Sequence, residues 1–442
     1  MTGRVKRFIG NACGASLVFL SEAMKVNLRL GERQLKLDIA DERLLGVIEG
    51  RETPSLDLDG IQKIVADGLR EAVPADISRR RIGILVPDRT RLWVRGDLII
   101  PMVTETLLGL GVPAEAIRII IALGTHRAVD PAEFPSLVGR AWPETEVINS
   151  ANRDRGRLVS VGTTSRGTRV EITAEVCACD HLIIFSGVLH HLIAGFGGGR
   201  KYILPGVAGY ESIQSNHRLA LLPDGQPHPL VRPGQLAGNP VHEDMEDCRL
   251  LFMQERTATL IAVARNARGE LFHIGVGPLD EAFAEACRHV DRACRCPVKD
   301  AADFALISAG GRRIDGQLYQ ATKALFNAAE AVRPGGSILF VAEASEGVGN
   351  TEFERMLRAH HHEPEALGEQ LSESFSMPTY VACRVASILR CYRVILVSSL
   401  SRADTESLGF QFPESIDRCV ADLEGRGYVI PFSENVLPVV AS

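Results

Sequence analysis

The chain has 442 residues, 45% of them hydrophobic and 24% charged, with a formal net charge of −6. That length exceeds what one hydrophobic core usually serves, so two domains are expected. The acidic balance argues against a nucleic-acid binder, and no stretch approaches the ~18 uninterrupted apolar residues of a membrane span; a cytoplasmic protein without nucleic-acid or membrane partners is the expectation.

Residues 1–23 form an N-terminal extension of uncertain status. Arg4, Lys6 and Arg7 precede an apolar run that ends near Leu20 and is broken by Asn11 and Ser16. A targeting segment and an early start codon, with Met24 as the alternative start, fit this pattern equally. From Met24 the texture changes: Val26, Leu28 and Leu30 alternate with polar residues, as in a half-buried strand. Ile61, Ile64, Val65 and Leu69 mark a helix face; residues 82–86 read as a buried strand ending at Pro87-Asp88; Val103, Leu107 and Leu110 mark a second helix. Residues 118–123 and 182–185 read as further strands, ending at Gly124-Thr125-His126 and Ser186-Gly187.

The alternation pauses over residues 285–302, then resumes with a strand at 304–308, a helix at 317–332, and strands at 337–342 and 394–398. Strand–helix alternation predicts an α/β fold of two domains, each a mostly parallel sheet flanked by helices, with the active site in the cleft between them. The expected units are 24–290, an N-terminal catalytic and cofactor-binding domain, and 291–442, a C-terminal α/β domain. Ten cysteines include the CxC pairs Cys177/Cys179 and Cys294/Cys296, which read as scattered thiols of a reducing compartment. His360, His361 and His362 read as a solvated helix end.

Ligands of open α/β sheets bind beyond the carboxyl ends of the strands, and ionisable residues collect at such ends here. Asp88 and Arg91 follow the first strand, His126 the second, His190 and His191 the third, and Arg312 and Arg313 the first strand of the second series. The segment 190–217 is the most informative: glycines at 195 and 197–199, then Arg200 and Lys201. A phosphate site and a tight turn with solvated cations both fit this loop, which lacks GK[ST] and the third Gly of G-x-G-x-x-G. His126 and His191 are candidate bases, since imidazole exchanges protons near neutral pH; His217 is a third candidate or a metal ligand. In DGQLYQATK (315–323), Tyr319 and Lys323 fall four apart with Gln320 beside them. A polar helix face is the plainer reading of that segment.

Together, PDRTR (87–91), ALGTH (122–126), HLIAGFGGGRKYILPG (191–206), NH (216–217) and LYQATK (318–323) resemble the nickel-dependent lactate racemase family in order and spacing. The resemblance runs essentially from Met24 to the end of the chain. It implies racemisation or epimerisation of a small 2-hydroxy acid (lactate, malate or related) by proton-coupled hydride transfer through a 2-keto acid. It implies a nickel-pincer nucleotide, pyridinium-3,5-bisthiocarboxylic acid mononucleotide nickel, attached covalently to Lys201, with His217 as the metal ligand and cofactor-synthesis enzymes as partners. By the same resemblance His126 and His191 are the two bases and Asp88 orients His126. Arg91, Gln320 and Lys323 hold substrate, and Asp88 and Tyr319 join Lys201 and His217 around the cofactor. Leu92 and the stretch GGRRIDGQ depart from the family pattern near the substrate end, which puts lactate itself in question more than the chemistry. Arg312 and Arg313 either pair with a second substrate carboxylate or are surface cations. Two other readings stand beside this one. One is a cofactor-free lyase or hydrolase using the paired histidines and Lys201 on a phosphorylated or acyl substrate. The other is a non-catalytic relative, disfavoured by the paired bases.

Overall fold

The computed structural model describes residues 23–441; of the N-terminal extension, residues 1–22 lie outside the described residues. The chain builds two sheets flanked by helices, as the alternation predicts. The first has six strands in the order Leu271–Pro278, Thr257–Arg265, His181–Val188, Ile82–Pro87, Ile117–Ala122, Glu146–Asn149. All neighbours run parallel except the edge strand Leu271–Pro278, which is antiparallel to Thr257–Arg265. The central strands are apolar throughout because helices cover both faces. Successive side chains then divide between two cores: Ile84, Val86, Ile119, Ile121, Ile183 and Phe185 enter one, and Leu85, Ile120, Leu182 and Ile184 the other. Helix Leu58–Ala72 buries Ile61, Val65 and Leu69 and is capped by Asp57, whose side chain accepts from Gly60 N.

The second sheet has five parallel strands in the order Arg393–Val397, Val332–Val341, Ala302–Ser308, Gly427–Ile430, Leu44–Val47. One face (Ala305, Ile307, Ile338, Phe340) packs into the core it shares with the first sheet. The other face (Phe304, Leu306, Leu339, Val341) is covered by the hairpin Ala23–Leu30/Arg33–Ala40 through Val26, Leu28, Leu37 and Ile39.

Residues 23–47 therefore pack with the second sheet, which corrects their expected assignment to the 24–290 unit. The reason is physical: Leu44–Val47 pairs with Gly427–Ile430, and the hairpin's apolar face closes an otherwise exposed sheet. The hairpin turn is tied down where Gly31 N donates to Asp315 Oδ2 (2.9 Å) and Ser308 Oγ donates to Arg29 O (2.6 Å). No helix among the described residues is long and apolar enough to cross a membrane, and all nine described cysteines are free thiols.

Leu28 is fully buried between the hairpin and the second sheet. Leu28→Ala should lower the unfolding free energy by about 2–5 kcal/mol in a denaturant titration. Native-state hydrogen exchange should show lost protection in Ala302–Ser308 before Ile82–Pro87 is affected; equal loss in both would contradict this packing.

Candidate active site

Strand His181–Val188 delivers the chain to a short ladder, His190–His191 against Gly195–Phe196, and then to the turn Gly199–Tyr202. The glycines allow the chain to pack against itself. A Cβ at Gly195 (φ +70°) would lie 2.1 Å from Gln235 O, and one at Gly199 (φ +54°) 2.8 Å from the Phe283 ring. The loop is buried, so neither solvated cations nor a glycine cradle for phosphate describes it. Arg200 points inward at 1% exposure: its guanidinium donates to His242 Nδ1 (2.8 Å), Ala194 O (2.8 Å) and Phe196 O (3.3 Å), and lies 4.5 Å from the Phe283 ring centroid. It braces the loop from behind, a role sequence reasoning did not assign.

Lys201, 8% exposed, turns the other way, and its Nζ lies 2.8 Å from His191 Nε2. His191 Nδ1 accepts from the backbone N–H of Ile193 and Ala194, both at 3.3 Å. A neutral imidazole whose Nδ1 accepts carries its proton on Nε2, so the Nε2–H edge of His191 points at Lys201 Nζ, an arrangement that favours the unprotonated amine. Burial acts the same way. It pulls the Lys201 amine well below its ordinary range, helped by the charges of Arg91 and Arg200. It also holds His191 neutral, helped by Lys201, Arg91, His217 and Lys323.

His217, on helix Tyr210–Arg218, joins this group: burial, aided by the Lys201 charge, lowers it to about 3. Its Nδ1–H donates to Asn216 Oδ1 (3.0 Å), which orients the ring and leaves Nε2 as a free donor atom for a metal.

Across the cleft, Asp88 is 3% exposed and bonds His126 Nδ1, while accepting from Thr90 N (3.0 Å) and the Thr90 hydroxyl. Burial raises the Asp88 carboxyl, but His126, Thr90 and Arg91 outweigh it and hold it below its ordinary value. His126 is thereby fixed in one tautomer with Nε2 facing out, on a half-exposed ring. Backbone bonds link this strand end to the lysine turn: Gly206 N donates to Lys201 O (2.8 Å), and Gly124 N to Gly206 O (2.9 Å). Arg91 lies 3.9 Å from Asp88 and is one-third exposed, free to meet an anion. Sequence reasoning missed Tyr202, whose buried hydroxyl lies beside the Gly187 backbone in the field of Arg91 and Asp88. Its only sequence signal was adjacency to Lys201.

The second sheet contributes helix Leu318–Ala329, which opens with LYQATK. Lys323 Nζ donates to Gln320 Oε1 (2.7 Å). Although open to solvent, Lys323 is ringed by protein. That crowding lowers its amine; Glu434 raises it, and Arg91, Arg265 and Arg313 lower it. Arg91, borne by the first sheet, is thus close enough for its charge to act on Lys323 of the second. Arg265 is bound by both oxygens of Glu434 (3.1 Å each), a buried ion pair absent from the sequence reading, with half-exposed Arg313 at 4.0 Å from Glu434. Arg312 separates from it onto the surface, where it donates to Glu32 (3.0 Å). Tyr319 packs against Phe353 (ring centroids 5.3 Å) with Glu352 nearby.

Two family models match the chain: the lactate racemase N-terminal domain over residues 30–226 and the lactate racemase C-terminal domain over residues 298–424. The chain belongs to the lactate racemase family. Among members of this family, it is 25% identical to the lactate racemase of Thermoanaerobacterium thermosaccharolyticum over 426 residues, covering 93% of this chain and 95% of that one. It is 28% identical to the lactate racemase of Lactiplantibacillus plantarum over 396 residues, 86% of this chain and 89% of the other. The solved lactate racemase apoprotein from T. thermosaccharolyticum superposes with a TM-score of 0.82 at 22% identity, over 94% of this chain and 100% of that one. A Thermotoga maritima protein superposes at 0.65 with 15% identity, over 88% of this chain and all of that one. These superpositions establish the shared fold.

The folded pKa of His217, about 3, lies below the ordinary 6.5. The neutral ring therefore contributes stability above pH 6.5 that is lost progressively as pH falls toward 3. His217→Gln should flatten the decline in unfolding free energy across about pH 6.5 to 4.5, measured by guanidinium titration at several pH values. An unchanged slope would show that the ring is not held neutral.

Proposed function

We propose that this member of the lactate racemase family racemises a small 2-hydroxy acid at the cleft between the two sheets. The observation that carries the proposal is the buried Lys201 amine, held well below its ordinary range, 2.8 Å from His191, with the charges of Arg91 and Lys323 acting on the same space. Binding alone needs neither a neutral lysine nor two imidazoles on different strand ends.

The residues fit the nickel-pincer nucleotide that the family resemblance implies. A deprotonated lysine amine is the form that bonds an activated carboxyl-type carbon. An imidazole fixed through Nδ1 offers Nε2 to nickel. On this reading Lys201 carries the nucleotide through a thioamide and His217 is the protein's donor to the metal. When bound, the group supplies an acceptor for the C2 hydrogen as hydride, with a planar 2-keto acid between the two enantiomers.

The chain's own residues do the rest. Arg91 anchors the substrate carboxylate, and its planar guanidinium suits a bidentate grip. Lys323, positioned by Gln320, stabilises negative charge on the C2 oxygen. His126, aligned by Asp88, takes the hydroxyl proton from one side, and His191, whose Nε2 edge is released once Lys201 is acylated, exchanges a proton on the opposite side. Each returns the proton in the reverse direction, which is what a symmetric reaction at one carbon requires. The relatives' names favour lactate as the first substrate to test. Arg313 beside Lys323 keeps a dicarboxylate such as malate within the class, whereas Arg312 is taken up by Glu32.

Protein produced together with the cofactor-building enzymes should show a covalent mass increment mapping to Lys201 and about one nickel per chain. Lys201→Ala should lose the increment, the nickel and turnover; racemisation by protein without any increment would overturn the cofactor assignment. His126→Ala and His191→Ala should keep nickel but lose about 10²–10⁴-fold in kcat. Deuterium at C2 of the substrate should remain at C2 in both enantiomers, read by NMR. Washout into solvent would point instead to an enolate and the cofactor-free chemistry.

A further inference from the structure

Outside the cleft, the antiparallel edge strand Leu271–Pro278 runs directly into helix Leu279–Cys294. The reversal brings His273 of the strand against Glu285 and His289 of the helix. The two imidazoles stack with centroids 4.0 Å apart and planes 14° from parallel. Glu285 Oε1 lies 3.8 Å from His289 Nε2, one helical turn away. One donor atom from each of the three residues falls within 4.8 Å of the others. His273 Nε2 is buried and has no hydrogen-bond partner, an unfavourable state for an imidazole nitrogen. The space beside it is open because residue 275 is glycine: a Cβ there would lie 3.2 Å from that nitrogen. Phe272 flanks both rings at 6.4 Å, giving the cluster an apolar wall.

We propose that His273, Glu285 and His289 form a divalent-metal site that takes a borderline cation, with zinc as the best fit. Two imidazole nitrogens and one carboxylate oxygen are a three-ligand set common for this ion, and exposed Glu285 leaves a fourth position to water. Neutral imidazoles are the ligating form, and burial together with the His289 charge pulls His273 down to about 4. To ligate one ion the two rings must leave their near-parallel stack, so that both in-plane lone pairs converge on the metal.

The site would clamp helix Leu279–Cys294 to its strand. That helix also forms the back wall of the lysine turn: Phe283 lies under Gly199 and Arg200, and Asp291 accepts from His190 Nε2 (2.7 Å). Metal at the outer face would stiffen the support of Lys201 without entering the cleft.

The test is calorimetric titration of the cofactor-free full chain with zinc chloride after chelator treatment. Wild type should take up one ion that is lost, or bound about tenfold or more weakly, in His289→Ala and in Glu285→Gln. The same ion should persist in His217→Gln. Glu285 is exposed, so Glu285→Gln tests the site even if a histidine variant folds poorly. Cobalt(II) substituted at the site should give visible absorption without a thiolate charge-transfer band. No zinc uptake by wild type, undiminished uptake in both site variants, or a thiolate band would each overturn the proposal.

Discussion

The contact between Lys201 Nζ and His191 Nε2 governs how this cleft is built. Two basic groups at 2.8 Å cannot comfortably both carry a charge, and burial favours the neutral form of each. The backbone amides of Ile193 and Ala194 fix the proton on the side of the ring that faces the amine. Much of the surrounding architecture serves this one condition: the buried glycine turn, Arg200 braced against Phe283 and His242, and the helix from Leu279 that backs them. A reactive lysine is obtained by withholding water and adding the nearby positive charge of Arg91 and Arg200.

The two sheets divide the labour. The first sheet supplies Asp88, His126, His191 and Lys201 from three adjacent strand ends. Backbone bonds from Lys201 through Gly206 to Gly124 lock their relative positions. The second sheet brings Lys323 and Gln320 on the first turns of one helix. The charge cluster of Glu434, Arg265 and Arg313 lies where the halves meet. Because both sheets share one continuous core, the cleft is a seam in a packed body. The hairpin at the start of the described chain completes the second sheet, so the two halves are interlocked in sequence as well as in space.

The strands were legible because buried parallel strands are uninterrupted apolar runs. The expected runs 82–86, 118–123 and 182–185 fall within or one residue beyond Ile82–Pro87, Ile117–Ala122 and His181–Val188. The helix expected at 317–332 stops at Ala329, since strand Val332–Val341 takes over the following residues. The candidate residues were legible through motif order, which carries information that single motifs lack. Tyr319 packs its ring against Phe353, a partner that motif order does not name. Arg312 and Arg313, adjacent in sequence, part company for the same reason: a helix start sends neighbours to different faces.

What the sequence alone determined is local and periodic: the α/β class, the strand ends that bear ionisable groups, and a spaced set of residues resembling one family. Periodicity and turn chemistry are encoded within a few residues of each position. What only the tertiary structure decided is which of those groups lose water and which acquire partners. Burial pulled the Lys201 amine well below its ordinary range and turned Arg200 from a candidate anion ligand into a brace. It also brought His273 to Glu285 and His289 across a strand–helix reversal. Protonation and pairing depend on atoms distant in sequence, and no pattern along the chain records their approach.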